Sequence, residues 1–190
     1  MSKGLIKKIV AGKYKNKVIN LPSSDTTRST KSIIKESLFD TLQFDIVDEV
    51  FVEVFGGSGS MGLEALSRGA NHAYFFEKDR KAYNVLVENC NRIAKNETTC
   101  ISGDSFEEFP KFIQKLNKKV FFYFDPPFSI RDGMQEIYEN SINLIEMIPQ
   151  ELSHLIIIEH MSKQKMPDII GSYTIKKVKK FGKSALTYYM

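Results

Sequence analysis

The chain of 190 residues is expected to fold as an α/β domain, with a doubly wound, mostly parallel sheet covered by helices on both faces. Three observations predict this. Apolar runs of strand length alternate with amphipathic stretches of helix length through most of the chain. The length, with 42% hydrophobic and 26% charged residues, suits one compact core. The glycine- and proline-rich segments fall where strand-like runs end, which is where such sheets bind ligands.

In chain order, residues 5–21 alternate around Gly12 and Asn16 and predict a small basic β-hairpin. Residues 22–30, rich in Pro, Ser, Asp and Thr, read as a loop. A helix is expected from Thr30, capped by Ser29 or Thr30 and carrying Ile33, Ile34, Leu38 and Leu42 on one face. Strands then follow at 50–55, 72–77, 98–101, 120–124 and 155–159, with helices between them at 62–68, 79–94, 105–116 and 133–147. Residues 173–178 and 185–189 predict a closing hairpin that turns at Phe181-Gly182-Lys183 and adds a C-terminal antiparallel strand. The organisation expected is a basic hairpin and loop over residues 1–29, then one domain over 30–190.

The net charge of +4 conceals an asymmetry: residues 1–35 carry +8 and residues 161–190 carry +6, which leaves −10 for the middle. Basic ends around an acidic body point to a polyanionic partner, although lysines that merely solubilise exposed hairpins would look the same. The longest apolar runs, such as Leu155-Ile156-Ile157-Ile158, are far too short to span a membrane, and the N-terminus has no apolar stretch of signal-peptide length. Cys90 and Cys100 match no metal-ligand spacing and read as reduced thiols of a cytoplasmic protein. His72, His154 and His160 are scattered, and no metal is expected.

Four strand ends carry the functional signal. The first runs Glu53-Val54-Phe55-Gly56-Gly57-Ser58-Gly59-Ser60-Met61-Gly62, a turn whose backbone a ligand can approach closely ahead of a helix N-terminus. Gly57, Gly59 and Gly62 satisfy G-x-G-x-x-G and Glu77 follows Gly57 by twenty residues, so this turn alone suits a nicotinamide enzyme equally well. Glu77 ends the second strand, where a carboxylate can accept both ribose hydroxyls; a solvated surface acid is the plain alternative. Asp104, followed by Ser105, ends the third and can cap a helix or receive an adenine amino group.

The fourth end, Asp125-Pro126-Pro127-Phe128, decides between the readings. Two prolines remove two backbone donors and fix φ, which leaves carbonyls facing a cleft. An amine awaiting methylation needs acceptors for its hydrogens, here Asp125 and the Pro126 carbonyl, and a flat apolar face for its base, here Phe128. Hydride transfer has no evident use for this set.

These residues resemble the class I S-adenosylmethionine-dependent methyltransferases with an Asp/Asn-Pro-Pro-Tyr/Phe motif. More narrowly the chain resembles the RsmD-type enzymes, and the resemblance runs nearly end to end. It covers Gly12 and Lys17, Thr27-Arg28-Ser29-Thr30, Lys35-Glu36-Ser37-Leu38-Phe39 and the glycine turn. It continues through the specific run Gly62-Leu63-Glu64-Ala65-Leu66-Ser67-Arg68-Gly69-Ala70 and Asp125-Pro126-Pro127-Phe128. The chain departs from the family pattern at Glu53 and Gly56-Gly57, where the family has Asp-Leu-Phe-Ala-Gly-Ser-Gly, and at Ser29, where it has proline.

The resemblance implies a Rossmann-like methyltransferase sheet and methylation of the exocyclic N2 of a guanine in 16S ribosomal RNA. It implies a cofactor site at Glu53, Phe55, Gly56, Gly57, Ser58, Gly59, Glu77, Asp104 and Ser105, and catalysis at Asp125, Pro126, Pro127 and Phe128. RNA is expected to meet Lys13, Lys15, Lys17, Arg28, Thr30, Lys179, Lys180 and Lys183, and the partner is ribosomal RNA or the small subunit, met by a cytoplasmic monomer. The competing readings are an amino-methyltransferase acting on DNA or on a protein glutamine, a nicotinamide oxidoreductase, and a non-catalytic RNA-binding protein of the same fold.

Overall fold

The computed structural model describes residues 5–22, 28–127 and 135–190, with side chains for all of these except 28–31 and 135. Its centre is an eight-stranded sheet. Five strands run parallel: β3 (Val50–Glu53), β4 (His72–Glu77), β5 (Thr98–Ser102), β6 (Val120–Phe124) and β7 (Ser153–Met161). Three close the far edge: β8 (Ile169–Ile170), β9 (Tyr173–Phe181) and β10 (Ser184–Tyr189), in the spatial order β5-β4-β3-β6-β7-β10-β9-β8. A separate antiparallel hairpin, β1 (Ile6–Lys8) with β2 (Val18–Asn20), lies N-terminal to it. The order reverses direction at β3, and both β4 and β6 pair with it, so the switch point of the sheet lies beside the glycine turn.

Two apolar layers hold the sheet. On one face α1 (Arg28–Leu42), α2 (Ser60–Ser67) and α3 (Arg80–Ala94) bury Leu38, Leu66 and Leu86 against Phe51, Phe75 and Tyr123. On the other, α4 (Ser105–Ile113) and α5 (Gln135–Glu146) bury Phe109 and Ile145 against Phe76, Phe122 and Ile158. Phe109 meets Phe122 and Phe124 edge to face, with ring centroids 5.7 and 5.6 Å away. Strands covered on both faces read as unbroken apolar runs, and β6, Val-Phe-Phe-Tyr-Phe, is buried throughout.

The hairpin is welded to α2 and α3 by buried polar groups. Glu64, fully buried, accepts Val10 N–H at 2.9 Å, Ala11 N–H at 3.1 Å and Arg68 Nε at 3.0 Å, with Lys35 Nζ at 3.6 Å. Ser67 accepts Tyr14 N–H at 2.9 Å and donates to the Ala11 carbonyl. At Gly12, with φ +80°, a Cβ would overlap the Ser67 carbonyl, so only glycine lets the hairpin turn rest on α2. The Glu64-to-Arg68 stretch of the family motif therefore serves as a clasp for the N-terminal segment.

Some boundaries differ from those the sequence predicts. The α1 helix starts at Arg28, one turn before the first periodic apolar residue. The α4 helix stops at Ile113, where the chain tightens: Lys115 N–H and Leu116 N–H bond the Phe112 and Ile113 carbonyls three residues back, at 2.9 and 3.2 Å. The closing hairpin is longer than expected: β9 continues to Phe181, paired with Ser184, and only Gly182 and Lys183 form the turn. Lys179 and Lys180 thus lie in the strand. The strand β8, too short to carry a period, was not foreseen.

Candidate active site

The carboxyl ends of β3, β4 and β6 border one cavity of about 890 Å³, and the start of α4, just after Asp104, closes one side of it. Residues from all four strand ends singled out in the sequence line it together: Glu53, Phe55, Gly56, Gly57 and Ser58; Glu77; Asp104 and Ser105; and Asp125, Pro126 and Pro127. Gly59 does not line it. A Cβ there would lie 2.6 Å from Leu86 Cδ1, so this glycine shapes the turn and its packing on α3. Phe128, and the side chains of Arg28 and Thr30, lie outside the described residues.

Each acid has a defined local role. Glu77 Oε2 accepts Gly57 N–H at 2.9 Å and Oε1 accepts Asp79 N–H at 2.7 Å, so its carboxylate is fixed across the mouth of the glycine turn. Two oxygens hold about four lone-pair sites, which leaves capacity for a further pair of donors. Asp104 caps α4 by accepting Phe106 N–H at 3.0 Å and has Lys78 Nζ at 3.3 Å. Ser105 spends its hydroxyl on the Val54 carbonyl, tying α4 to the end of β3.

Glu53 is 4% exposed and accepts Gly62 N–H at 2.8 Å, in the first turn of α2. Burial, opposed by the Gly62 N–H and reinforced by Asp125, pushes its carboxyl up to about 8. Lys35, from α1, reaches the same cavity and is held below its ordinary value by burial, with Glu64 and Glu53 opposing. Phe55 and Phe106, edge to face at 5.6 Å, give the cavity an apolar wall.

Several lining residues escaped the sequence reading. Lys7 and Lys8 of β1, Lys35, Tyr123 and Glu159 all border the cavity. Glu159 ends an apolar run as Glu53, Glu77 and Asp125 do, so its signal was present; that of Lys35 was hidden inside a helical repeat. The predicted RNA-contacting lysines sit elsewhere. Lys15 and Lys17 are exposed on the hairpin, and Lys13 pairs with Glu97 at 2.7 Å. Lys179 is turned onto α1, where its Nζ donates to Ser37 Oγ at 2.9 Å and Thr41 Oγ1 at 2.7 Å, while Lys180 and Lys183 are exposed.

The family described as Conserved hypothetical protein 95 matches residues 7–190. The chain belongs to this RsmD-type methyltransferase family. It is 29% identical to Ribosomal RNA small subunit methyltransferase D of Escherichia coli (strain K12) over 185 residues, 96% of this chain and 88% of that one. It is 31% identical to the Haemophilus influenzae protein of the same name over 131 residues, 68% of each chain. Among solved structures, yhhF from Escherichia coli superposes with a TM-score of 0.75 at 26% identity, covering 97% of both chains.

The site fits the cofactor of a class I methyltransferase. Apart from Gly57 itself and its two chain neighbours, no heavy atom of the described residues lies within 4 Å of the place where a Cβ on Gly57 would project, so the turn is open to close approach. Beside it stand a fixed carboxylate suited to a ribose diol and an aromatic wall suited to adenine, and the volume is that of a small-molecule site.

Proposed function

We propose that this protein methylates ribosomal RNA using S-adenosylmethionine, and that its target is the exocyclic N2 of a guanine in small-subunit 16S RNA. The observation that carries the reading is that Asp125-Pro126 opens onto the same cavity as Glu77 and the glycine turn, so an amine at one wall lies beside a cofactor at the other. The names of the relatives from Escherichia coli and Haemophilus influenzae support ribosomal RNA as substrate. The N2 position rests on the resemblance and on the acceptor set at the end of β6.

Bound in this cavity, S-adenosylmethionine supplies a methyl group already activated by its sulfonium. Glu77 and Asp104 would hold the adenosine, with Phe55 and Phe106 beside the ring, and Glu53 and Lys35 would meet the amino-acid end. The chain's task is then alignment. Asp125 and the Pro126 carbonyl accept the two amine hydrogens and so favour the nitrogen as it becomes positive. Asp125 is also placed to receive the proton that leaves. Phe128 would stack on a splayed base, and Arg28, Thr30, Lys15, Lys17, Lys180 and Lys183 would meet RNA phosphates. Lys13 and Lys179 would join them only by giving up their present partners. The protein would act as a monomer in the cytoplasm.

The test is to incubate the protein with methyl-labelled cofactor and small subunits from cells that lack it, then digest the RNA to nucleosides. Label is expected in N2-methylguanosine, and Asp125→Ala should slow its appearance about 100-fold with cofactor affinity retained. Label in another nucleoside, in protein or nowhere would overturn the reading.

A further inference from the structure

A second carboxylate stands beside Asp125. The β6–β7 ladder ends with Phe124 opposite Ile158, and Asp125, just past the end of β6, and Glu159, still within β7, are the residues that follow that last pair. Neighbouring strands are about 4.8 Å apart. Glu159 is fully buried in the fold yet lines the cavity, as Asp125 does. Its orientation is set from β6: Tyr123 Oη donates to Glu159 Oε2 at 2.7 Å, a diagonal pair on one face of the sheet. Burial, then the charges of Glu159 and Asp125, hold the Tyr123 phenol well above its ordinary value, so it stays a donor.

A buried tyrosine hydroxyl is satisfied by any neutral acceptor, and burying a carboxylate costs several kcal/mol more than that task requires. A carboxylate kept at a cavity wall suits a donor arriving from the cavity, and with about four lone-pair sites on two oxygens a carboxylate is not exhausted by one hydroxyl. Among the bases with exocyclic amines, guanine alone carries a ring N–H, at N1, next to its amine. Adenine and cytosine bring a ring lone pair to that position. Enzymes that hold an extruded base read this edge by hydrogen bonds.

We propose that Glu159 is the specificity-determining residue for guanine: its carboxylate accepts the N1–H of the base whose N2 amine is held by Asp125 and the Pro126 carbonyl, and Tyr123 positions it. This rests on the guanine-N2 reading above. A base presenting a lone pair there sets two acceptors face to face, which both loses a hydrogen bond and repels.

The experiment uses the full chain and small subunits reconstituted with 16S RNA that carries either guanine or 2-aminopurine at the nucleotide found to be modified. 2-Aminopurine keeps the amine but has no proton on N1. The quantity read is the guanine-to-2-aminopurine ratio of methylation rates, compared between wild type, Glu159→Gln and Tyr123→Phe. Intrinsic differences between the two amines are common to all three enzymes and cancel. Glu159→Gln should lower the ratio roughly tenfold to a hundredfold, the scale of one charge-assisted hydrogen bond, since its amide can donate to the bare N1. Tyr123→Phe should lower it less, because the carboxylate remains but is no longer oriented. If Glu159→Gln does not fold, Tyr123→Phe decides alone. A ratio unchanged in the folded variants overturns the role of Glu159. Wild type that methylates neither base shows instead that the guanine-N2 reading has failed.

Discussion

Asn89 binds both peptide groups of Asn20: its Oδ1 accepts the Asn20 N–H at 3.0 Å, and its Nδ2 donates to the Asn20 carbonyl at 2.9 Å. The same Nδ2 donates to the Ser58 carbonyl at 3.0 Å. One fully buried amide in α3 thus joins the N-terminal hairpin to the glycine turn. Asn89→Ala strips a donor or acceptor from three backbone groups, at about 1–3 kcal/mol for each one left unsatisfied and buried. The variant should unfold at clearly lower urea concentration, with faster amide exchange over residues 18–20. An unchanged midpoint would show that water replaces the amide at no cost.

Glu77 is predicted to act on cofactor affinity. Glu77→Ala should weaken binding of S-adenosylhomocysteine by about 1–3 kcal/mol in calorimetry, since the acceptor and the anchor of Gly57 and Asp79 go together. Tight NADH binding by the wild type, with none of S-adenosylhomocysteine, would sink the cofactor assignment.

Glu53 should leave its mark on stability against pH. Its carboxyl is raised by burial from 4.5 to about 8 in the folded chain. Between these values the folded state holds a proton that the unfolded state has released, so stability falls as pH rises from 4.5 to 8. The slope is at most about 1.4 kcal/mol per pH unit. Glu53→Gln removes this dependence, so denaturant midpoints of wild type should decline relative to the variant between about pH 5 and 8. Curves that run parallel across that window would contradict a buried, protonated Glu53.

The C-terminal lysines should separate by function. Lys180→Ala/Lys183→Ala should weaken RNA binding and lower the log–log salt slope by about 0.7 for each phosphate that is no longer neutralised. Lys179→Ala should instead reduce thermal stability, because its ammonium ties β9 to Ser37 and Thr41 of α1. Equal salt slopes for wild type and the double variant would mean that Lys180 and Lys183 are only a solvated face.

The sheet, and with it most of the cavity that its strand ends line, was legible because each strand announces itself over a few residues. An apolar run such as 120–124 closes on a carboxylate and two prolines, and backbone geometry alone then places that carboxylate at the ligand-binding edge. The glycine turn, Glu77, Asp104 and Asp125 were found in this way and do share one cavity. The same rule applied at the end of 155–159 would have found Glu159.

What the sequence determined by itself was therefore the order of elements, the edge of the sheet where chemistry gathers, and the residues that end its strands. Tertiary structure alone decided which charges are spent on the fold. Glu64 reaches residues 10 and 11, over fifty positions away, and Lys179 reaches Ser37 across 142 positions. Periodicity is set by dihedral angles within a few neighbours, and it carries no record of which distant element will cross a side chain and take its hydrogen bonds.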